Sequence, residues 1–452
     1  MRAYLAVDFG STFTKLTAID AERESIIATA KAFTTINTDI REGFHAALSS
    51  LEEQTGKLIF EERLASSSAG GGLKMVAVGL VANLTAKAAF LAACSAGAKV
   101  VKTYAYELSQ AEQDEIGEIN PDLVLLSGGT DGGNKNVILH NARLLAGVNG
   151  SFSVIVAGNK SVSAEAARIL EEGGKSPVVC GNVMPEFNKL DIMPAKNAIR
   201  ELFLEKIIEA KGLGEAAKIM TRPIIPTPLA VFEAAELLSE EWGKILAVDV
   251  GGATTDVYSM ADGKPTRHEV VQKGLLEPFA KRSVEGDLGM RYSLESLVEA
   301  VGELDGDLEL DSFLSLVKND PSFVPEAGSF FCSLDKKLCA HAVNIAVTRH
   351  VGSLESVFTP LGETFYQTGK DLTDVGYVIG IGGPIVYNQN PADILQQATN
   401  PVPGMILKPQ NPKFAIDKKY IFAAMGLTAR VDRGMALRIM LDEIKEVNDG
   451  VD

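Results

Sequence analysis

Two short segments carry residue types suited to gripping a phosphorylated ligand. Leu5-Ala-Val-Asp-Phe-Gly-Ser-Thr12 lies near the start of the chain, and Leu246-Ala-Val-Asp-Val-Gly-Gly-Ala-Thr-Thr-Asp256 lies 241 positions later. Each reads as an apolar strand ending in Asp, with Gly two positions on, then small hydroxylated residues and a second strand. An Asp at a strand end can hold hydrated Mg²⁺, a hard cation that prefers carboxylate, water and phosphate oxygens. That assigns Asp8 and Asp249 as candidate metal-holding and catalytic residues. Gly10 and Gly251 let the backbone approach a phosphate closely. Successive amides through Gly252 and Ala253, with the hydroxyls of Ser11, Thr12, Thr254 and Thr255, can donate to phosphate oxygens. Lys15 adds a point charge to the phosphate or simply faces solvent. One such hairpin is a tight turn; two copies half a chain apart suggest a clamp on a nucleotide tail.

A third element is Val378-Ile-Gly-Ile-Gly-Gly-Pro384, an apolar strand running into glycines. Gly382-Gly383 either seats a flat adenine or ribose against bare backbone or makes an ordinary strand-to-helix turn. It is not a dinucleotide fingerprint, because the last Gly of G-x-G-x-x-G is missing. No G-x-x-x-x-G-K-[ST] phosphate loop occurs anywhere in the sequence.

The elements that must position these residues follow from periodicity. Strand-like runs fall at Tyr4–Val7, Lys15–Ile19, Leu123–Leu126, Val154–Val156, Ile245–Val248, Thr255–Ser259 and Tyr377–Ile381. Helical patterns fall at Glu42–Glu53, Thr85–Ala96, Ser163–Glu171, Ala195–Ala210, Leu229–Leu238 and Leu338–Glu355, and a closing helix is expected over Thr428–Val447. This alternation predicts an α/β fold with mostly parallel sheets. Asp262-Gly263 predicts the turn that closes the hairpin after the second copy. The Pro-rich segment Arg222-Pro-Ile-Ile-Pro-Thr-Pro228 resists helix and strand interior, and marks the domain crossover or a plain surface loop.

Composition bounds the classes. The chain has 452 residues, 46% of them hydrophobic, and a net charge of −16. That length allows about two to four domains. The acidic balance argues against nucleic acid or an anionic membrane as partner. It leaves room for one small anion held by amides and a cation. Asp8 interrupts the first apolar run, so no secretory signal is expected, and no segment reaches the roughly 18 apolar residues of a membrane span. The four Cys (Cys94, Cys180, Cys332, Cys339) are scattered without a C-x-x-C pair, which is cytoplasmic usage. Cys332, Cys339, His341 and His350 are close in sequence and read as core residues ahead of metal ligands.

At this point a resemblance is recognisable. Asp8-Phe-Gly-Ser-Thr-Phe-Thr14 resembles the phosphate-1 motif of the actin, heat-shock chaperone and sugar-kinase ATPases. Asp249–Asp256 resembles their phosphate-2 motif, with Ala253 where chaperone members carry Gly, and Gly382-Gly383 resembles the adenosine motif. Across its length the chain resembles the GlmL/MutL family, accessory proteins of adenosylcobalamin-dependent glutamate mutase (unrelated to the mismatch-repair protein of that name). The carrying segments are Asp8–Lys15, Ala69-Gly-Gly-Gly-Leu-Lys-Met75, Ser127-Gly-Gly-Thr-Asp-Gly-Gly-Asn-Lys135, Glu285-Gly-Asp-Leu-Gly289 and Gly369-Lys-Asp-Leu-Thr373.

The resemblance implies a two-domain actin-like ATPase (ribonuclease H-like) fold with duplicated mixed sheets and a nucleotide cleft between domains. Residues 1–225 would form the first domain, with an α/β insertion, and 226–452 the second. ATP and Mg²⁺ would be its ligands, Thr14 joining Gly10–Lys15 at the phosphates. Glu285 or Asp287 would orient an attacking water, or else cap a helix from Leu288 onward. The implied role is a cytoplasmic, chaperone-like factor that binds a mutase, glutamate mutase or a related aminomutase, and exchanges damaged cobalamin for fresh cofactor. A small-molecule kinase on the same fold, or a filament-forming protein, uses the same hairpins. Ser127–Lys135 is expected to be either the duplicated counterpart of the adenosine loop or a strand-to-helix turn capped by Asn134. Gly369–Thr373 reads as a solvated loop.

Overall fold

The computed structural model describes residues 2–35, 39–68, 73–207, 213–302, 309–360, 362–400 and 404–447. Of the glycine-rich segment Ala69–Met75, positions 69–72 lie outside the described residues. The chain divides into two compact units. One comprises Met1–Gly70, Ala210–Lys273 and Phe279–Asp452; the other comprises Gly71–Glu209 and Gly274–Pro278.

The first unit opens with a meander, β1 (Ala3–Phe9), β2 (Phe13–Asp20) and β3 (Ser25–Phe33), followed by helix Ile40–Thr55 and β4 (Phe60–Ser67). β1–β2 and β2–β3 pair antiparallel, whereas β4 runs parallel to β1. Asp39 caps the helix by accepting the Arg41 amide at 2.9 Å.

The second unit is an all-parallel sheet of β5 (Lys74–Gly79), β6 (Lys99–Ala105), β7 (Leu123–Leu126), β8 (Ser153–Val156) and β9 (Ser176–Val179). Its order is β6-β5-β7-β8-β9. Helices cover both faces, so the central strands are continuous apolar runs and β7 is buried throughout. A single π turn, Ala82–Ala86, begins helix Lys87–Ser95, where one regular helix was expected.

Returning to the first unit, β10 (Ile225–Pro226) completes the first sheet in the order β10-β4-β1-β2-β3. The Pro-rich segment is therefore partly a strand. It sits at an edge, where the missing amide of Pro226 costs no ladder bond, and it leads directly into helix Thr227–Trp242. The second sheet holds β11 (Ile245–Val250) and β12 (Thr255–Met260). β13 (Val270–Lys273) leaves it, and β14 (Ala280–Glu285) returns to pair antiparallel with β12. Asp262-Gly263 thus turns the chain but does not close a two-strand hairpin.

Helix Phe330–His350 ends before the expected boundary, because β15 (Ser353–Thr359) and β16 (Gly362–Thr368) follow as an antiparallel pair beside β13. β17 (Tyr377–Ile381) and β18 (Lys413–Ile416) run parallel to β11 and to each other, and β19 (Lys445–Glu446) is a short edge strand. The second sheet order is β14-β12-β11-β17-β18-β19. Apart from β19, it repeats the first sheet, meander first and then two parallel strands. That duplication is the actin-like, ribonuclease H-like arrangement, and its sheets are mixed; only the second unit is parallel. The closing helix, expected over Thr428–Val447, is shorter, Arg433–Glu443 capped by Asp432, and a separate helix, Phe422–Ala429, precedes it.

Helices Thr227–Trp242 and Phe422–Ala429 share one apolar core with both mixed sheets. Tyr4, Ala6 and Leu64 come from the first sheet; Ala247, Tyr258 and Ile379 come from the second. The helices cross so closely that a Cβ on Gly426 would overlap the carbonyl of Ala230. Gly426→Ala is expected to destabilise the protein by about 1–3 kcal/mol through overpacking, measured by urea unfolding.

Gly369–Thr373 is not a solvated loop. Lys370 and Asp371 are buried. The Lys370 ammonium donates to the carbonyl of Phe279 at 2.7 Å and to the Ser259 hydroxyl at 3.2 Å. Asp371 accepts from the amides and hydroxyls of Thr266 and Thr373. His350 completes this network, its ring nitrogens 2.7 Å from Ser283 Oγ and 2.8 Å from Ser259 Oγ. Burial first, then Lys281 and Lys370, hold His350 well below its usual imidazole range.

The folded His350 stays neutral while the unfolded one gains a proton below its ordinary value of about 6.5. Stability is therefore lost as pH falls through that value, by up to about 1.4 kcal/mol per unit. His350→Gln should remove this part of the slope, seen by comparing unfolding of the two proteins at pH 7.5 and 5.5.

Candidate active site

The duplicated meanders place like residues at like positions. Asp8 ends β1 opposite Lys15 on β2 and beside Ser66 on β4. Asp249 ends β11 opposite Asp256 on β12 and beside Ile381 on β17. The two turns face each other closely: a Cβ on Gly252 would lie 3.3 Å from Thr12 Oγ1. Gly10, Ser11, Thr12, Gly251, Gly252, Ala253 and Thr254 all keep some exposure there. Gly10 and Gly251 each close their turn with an amide bond, to the carbonyls of Phe13 and Thr254.

Asp8 is held on both sides. Its Oδ1 accepts from Thr227 Oγ1 at 2.6 Å and from Ser66 Oγ at 3.2 Å. Lys15 Nζ lies 4.0 Å from its Oδ2 and 4.2 Å from the centre of the Tyr420 ring. Lys15 therefore turns into the site, not to open solvent.

Asp249 is pushed up to about 7, first by burial and then by Asp256, with Asp8 and Asp417 adding and Lys15 opposing. Asp417 follows β18 and is pushed up to about 6 by burial, against the amides of Ile421 and Phe422 that it accepts. Asp256 is neutralised by the Arg282 guanidinium, with Nε at 2.8 Å and a second nitrogen at 2.5 Å. Carboxylates at the ends of three strands thus meet around one lysine.

Gly382 sits where no side chain fits. Its φ is +87°, and a Cβ would overlap the Val250 carbonyl and lie 2.8 Å from Asp249 Oδ1. Gly383 is flanked by Tyr420, whose hydroxyl would be 2.8 Å from a Cβ there, and by Tyr387. The two tyrosine rings lie 5.5 Å apart.

Glu285 pairs across the ladder with Thr255. Its pKa is raised by burial, against the Arg349 ion pair at 2.8 Å. Arg349 also holds Asp287 at 2.9 Å. Neither carboxylate caps a helix from Leu288, because the next helix is Leu294–Val301. Residues 289–293 instead wrap the second turn: the amides of Met290 and Arg291 donate to Gly251 and Gly252. Three expected phosphate-side hydroxyls are engaged elsewhere in this structure, Thr254 donating to Asp256 Oδ2 at 3.0 Å. Thr14 is buried with its Oγ1 3.0 Å from that of Thr34, and Thr255 donates to the Leu288 carbonyl at 2.6 Å.

Thr227, Tyr420, Asp417 and Arg349 were not legible as site residues. Asp417 had a usable signal, since Lys413-Phe-Ala-Ile-Asp417 repeats the strand-then-Asp pattern. Ser127–Lys135 belongs to the parallel sheet of the second unit and follows β7. By strand order the counterpart of Gly382-Gly383 is instead the segment after β4, whose positions 69–72 lie outside the described residues. Among the described residues no group of three or more His, Cys, Asp or Glu side chains is placed to hold a metal ion, and Cys339 and His350 are core. None of the described helices is long and apolar enough to cross a membrane.

Comparison with known proteins decides the family. A match to the family described as MutL protein spans residues 4–444. The chain is also 46% identical over 456 residues to Protein MutL of Clostridium tetanomorphum, covering 97% of this chain and 98% of that one. The chain belongs to the MutL protein family. Among solved structures it is similar to component A of (R)-2-hydroxyglutaryl-CoA dehydratase from Acidaminococcus fermentans, at 11% identity and TM-score 0.30, covering 98% of this chain and 99% of that one. It is similar at 12% identity and TM-score 0.31 to xylulose kinase from Bifidobacterium adolescentis, covering 99% and 96%. Nucleotide-free acetone carboxylase gives 13% identity and TM-score 0.44, covering 95% and 70%. For this MutL-family chain the fold is read from its own strand orders.

The crowding at Asp249 makes a measurable prediction. Its folded value lies above its unfolded one, so its contribution is favourable at low pH and is lost as pH rises from about 4 to 7. Without cation or nucleotide, Asp249→Asn should be more stable than wild type at pH 8, by on the order of 2–4 kcal/mol at most. The gap should close toward pH 4, as followed by chemical unfolding.

Proposed function

We propose that this protein is an ATP-dependent reactivating factor for an adenosylcobalamin-dependent mutase, with glutamate mutase as the first client to test. The observation that carries the reading is the convergence of Asp8 and Asp249, from duplicated meanders, around Lys15 and Tyr420. Family membership supports the accessory role, and the cytoplasm is its proposed location.

The donor set fits Mg²⁺. Asp8 and Asp249 supply hard oxygens, and the burial and neighbouring carboxylates that raise Asp249 would be offset by a cation. Bound there, Mg²⁺ would supply charge neutralisation at the phosphates. The remaining work falls to the chain itself. Turn amides and the hydroxyls of Ser11 and Thr12 donate to phosphate oxygens. Lys15 adds a positive charge, and Gly382-Gly383 with Tyr387 admits the adenosine. Glu285 accepts a proton from, or orients, the attacking water once Arg349 shares its charge elsewhere. Transfer of this kind needs mainly positioning and electrostatic stabilisation. The two halves, 1–225 and 226–452, would close on the nucleotide about the segment near Pro223–Pro228. Opening after hydrolysis would change the grip on the mutase and release damaged cobalamin.

The protein is expected to hydrolyse Mg·ATP slowly and to restore activity to cobalamin-inactivated glutamate mutase only with ATP. Asp8→Asn and Glu285→Gln should each lower the ATPase rate by about 10²-fold or more, with nucleotide binding retained in Glu285→Gln. Unchanged rates in both variants would sink the site assignment. Rapid phosphorylation of a metabolite, with no mutase restored, would establish the kinase reading instead.

A further inference from the structure

The segment that wraps the second phosphate turn carries a guanidinium that the proposed site leaves idle. Between β14 and helix Leu294–Val301 the chain is bonded to that turn throughout. The amides of Met290, Arg291 and Tyr292 donate to the carbonyls of Gly251 and Gly252, and Ser293 Oγ donates to the Ala253 carbonyl at 2.8 Å. A Cβ on Gly289 would overlap the Ala253 backbone, so the segment and the turn touch. Arg291 therefore stands on a backbone fixed beside the turn.

Three observations single out this residue. The first is its place. A Cβ on Gly252 would lie 3.6 Å from Arg291 Cβ and 3.7 Å from its Cγ, and 3.3 Å from Thr12 Oγ1 of the first turn. The stem of Arg291 thus stands where the two turns meet. An arginine side chain is long enough to carry its guanidinium from there to a phosphate held between them.

The second is its partner. Arg291 Nη1 donates to Asp335 Oδ1 at 2.8 Å and to the Met290 carbonyl at 2.6 Å. Asp335 lies in the first turns of helix Phe330–His350, and the two side chains are only 11% and 16% exposed. Burial raises Asp335, against the guanidinium beside it. A carboxylate so placed takes up a proton when its arginine leaves, so the pair parts without stranding a buried charge.

The third is the balance of charge. Arg282 is committed to Asp256, and Arg349 to Glu285 and Asp287. Lys15 belongs to the first turn, opposite Asp8. Each of these cations already serves a carboxylate at the site. The partner of Arg291 comes instead from a helix outside that set. A triphosphate brings further negative charge to an acidic site, and Arg291 can turn to it without releasing a site carboxylate. Its planar fork also matches phosphate oxygens two at a time.

We propose that Arg291 is a ligand of the nucleotide's terminal phosphate, and that Asp335 holds it in reserve while that phosphate is absent. When the terminal phosphate enters between the turns, the guanidinium leaves Asp335 and donates to its oxygens. The inference rests on the ATP site proposed above and adds the group that tells a nucleoside triphosphate from a diphosphate.

The test is calorimetric titration of the full chain with Mg·ADP and with Mg·AMP-PNP, a non-hydrolysable ATP analogue. Arg291→Gln should weaken AMP-PNP about tenfold or more and leave ADP within about twofold. That variant leaves Asp335 alone in the interior. The double variant Arg291→Gln, Asp335→Asn removes both charges and should give the same split. Asp335→Asn alone keeps the guanidinium and drops its resting partner, so AMP-PNP should bind at least as tightly as to wild type. A purely structural ion pair behaves otherwise. ADP and AMP-PNP weakened alike in both Arg291 variants, or AMP-PNP weakened as much by Asp335→Asn as by Arg291→Gln, overturns the proposal. Wild type that binds both nucleotides, with neither affinity changed in the Arg291 variants, overturns this inference alone. Wild type that binds neither overturns the ATP site itself, and this inference with it.

Discussion

Everything at the candidate active site depends on how closely two helices cross. Thr227–Trp242 and Phe422–Ala429 lie in one core with both mixed sheets, and Gly426 allows contact with the Ala230 carbonyl. That closeness sets the distance between the sheets. It brings the ends of β1, β11 and β18 together, and with them Asp8, Asp249 and Asp417. The first helix also supplies Thr227, whose hydroxyl fixes the Asp8 carboxylate. A larger residue at position 426 would push apart the charges on which the chemistry rests.

The convergence is electrostatically unfavourable on its own. Burial first, then the neighbouring carboxylates of Asp256, Asp8 and Asp417, raise Asp249. Lys15 offsets part of it, positioned between Asp8 and the Tyr420 ring. Arg282 pairs with Asp256, which still raises Asp249. What remains is a set of carboxylates at strand ends whose repulsion a cation would relieve. The Arg349 pairs with Glu285 and Asp287 extend the same logic, since the candidate base is held in an ion pair.

The motif positions were legible because they are local. An apolar run ending in Asp, then Gly, then hydroxyls, is written in consecutive residues, and its resemblance to the phosphate motifs of actin-like ATPases implied that fold. Strand cores such as Leu123–Leu126 and Tyr377–Ile381 were also readable, because burial on both faces leaves an unbroken apolar run. The failures share a cause too. The helix ends at 350 and 443 are set by where β15 and β19 find partners. Lys370 and Asp371 looked like solvent residues because a charged dipeptide beside Gly usually is one. Their partners, Ser259, Phe279 and Thr266, come from distant positions.

By itself the sequence determined two things here: which residues end the central strands, and that the pattern occurs twice. Those are properties of spacing and side-chain chemistry, and they need no partner to be read. Only the tertiary structure decided which way Lys15 turns, that Thr14 and Thr255 spend their hydroxyls in the interior, and that Thr227, Asp417 and Arg349 join the site. It also separated Ser127–Lys135 from the adenosine loop and set it after a strand of a different sheet. Those outcomes rest on strand order and on contacts across tens to hundreds of residues, and a linear pattern carries no term for either.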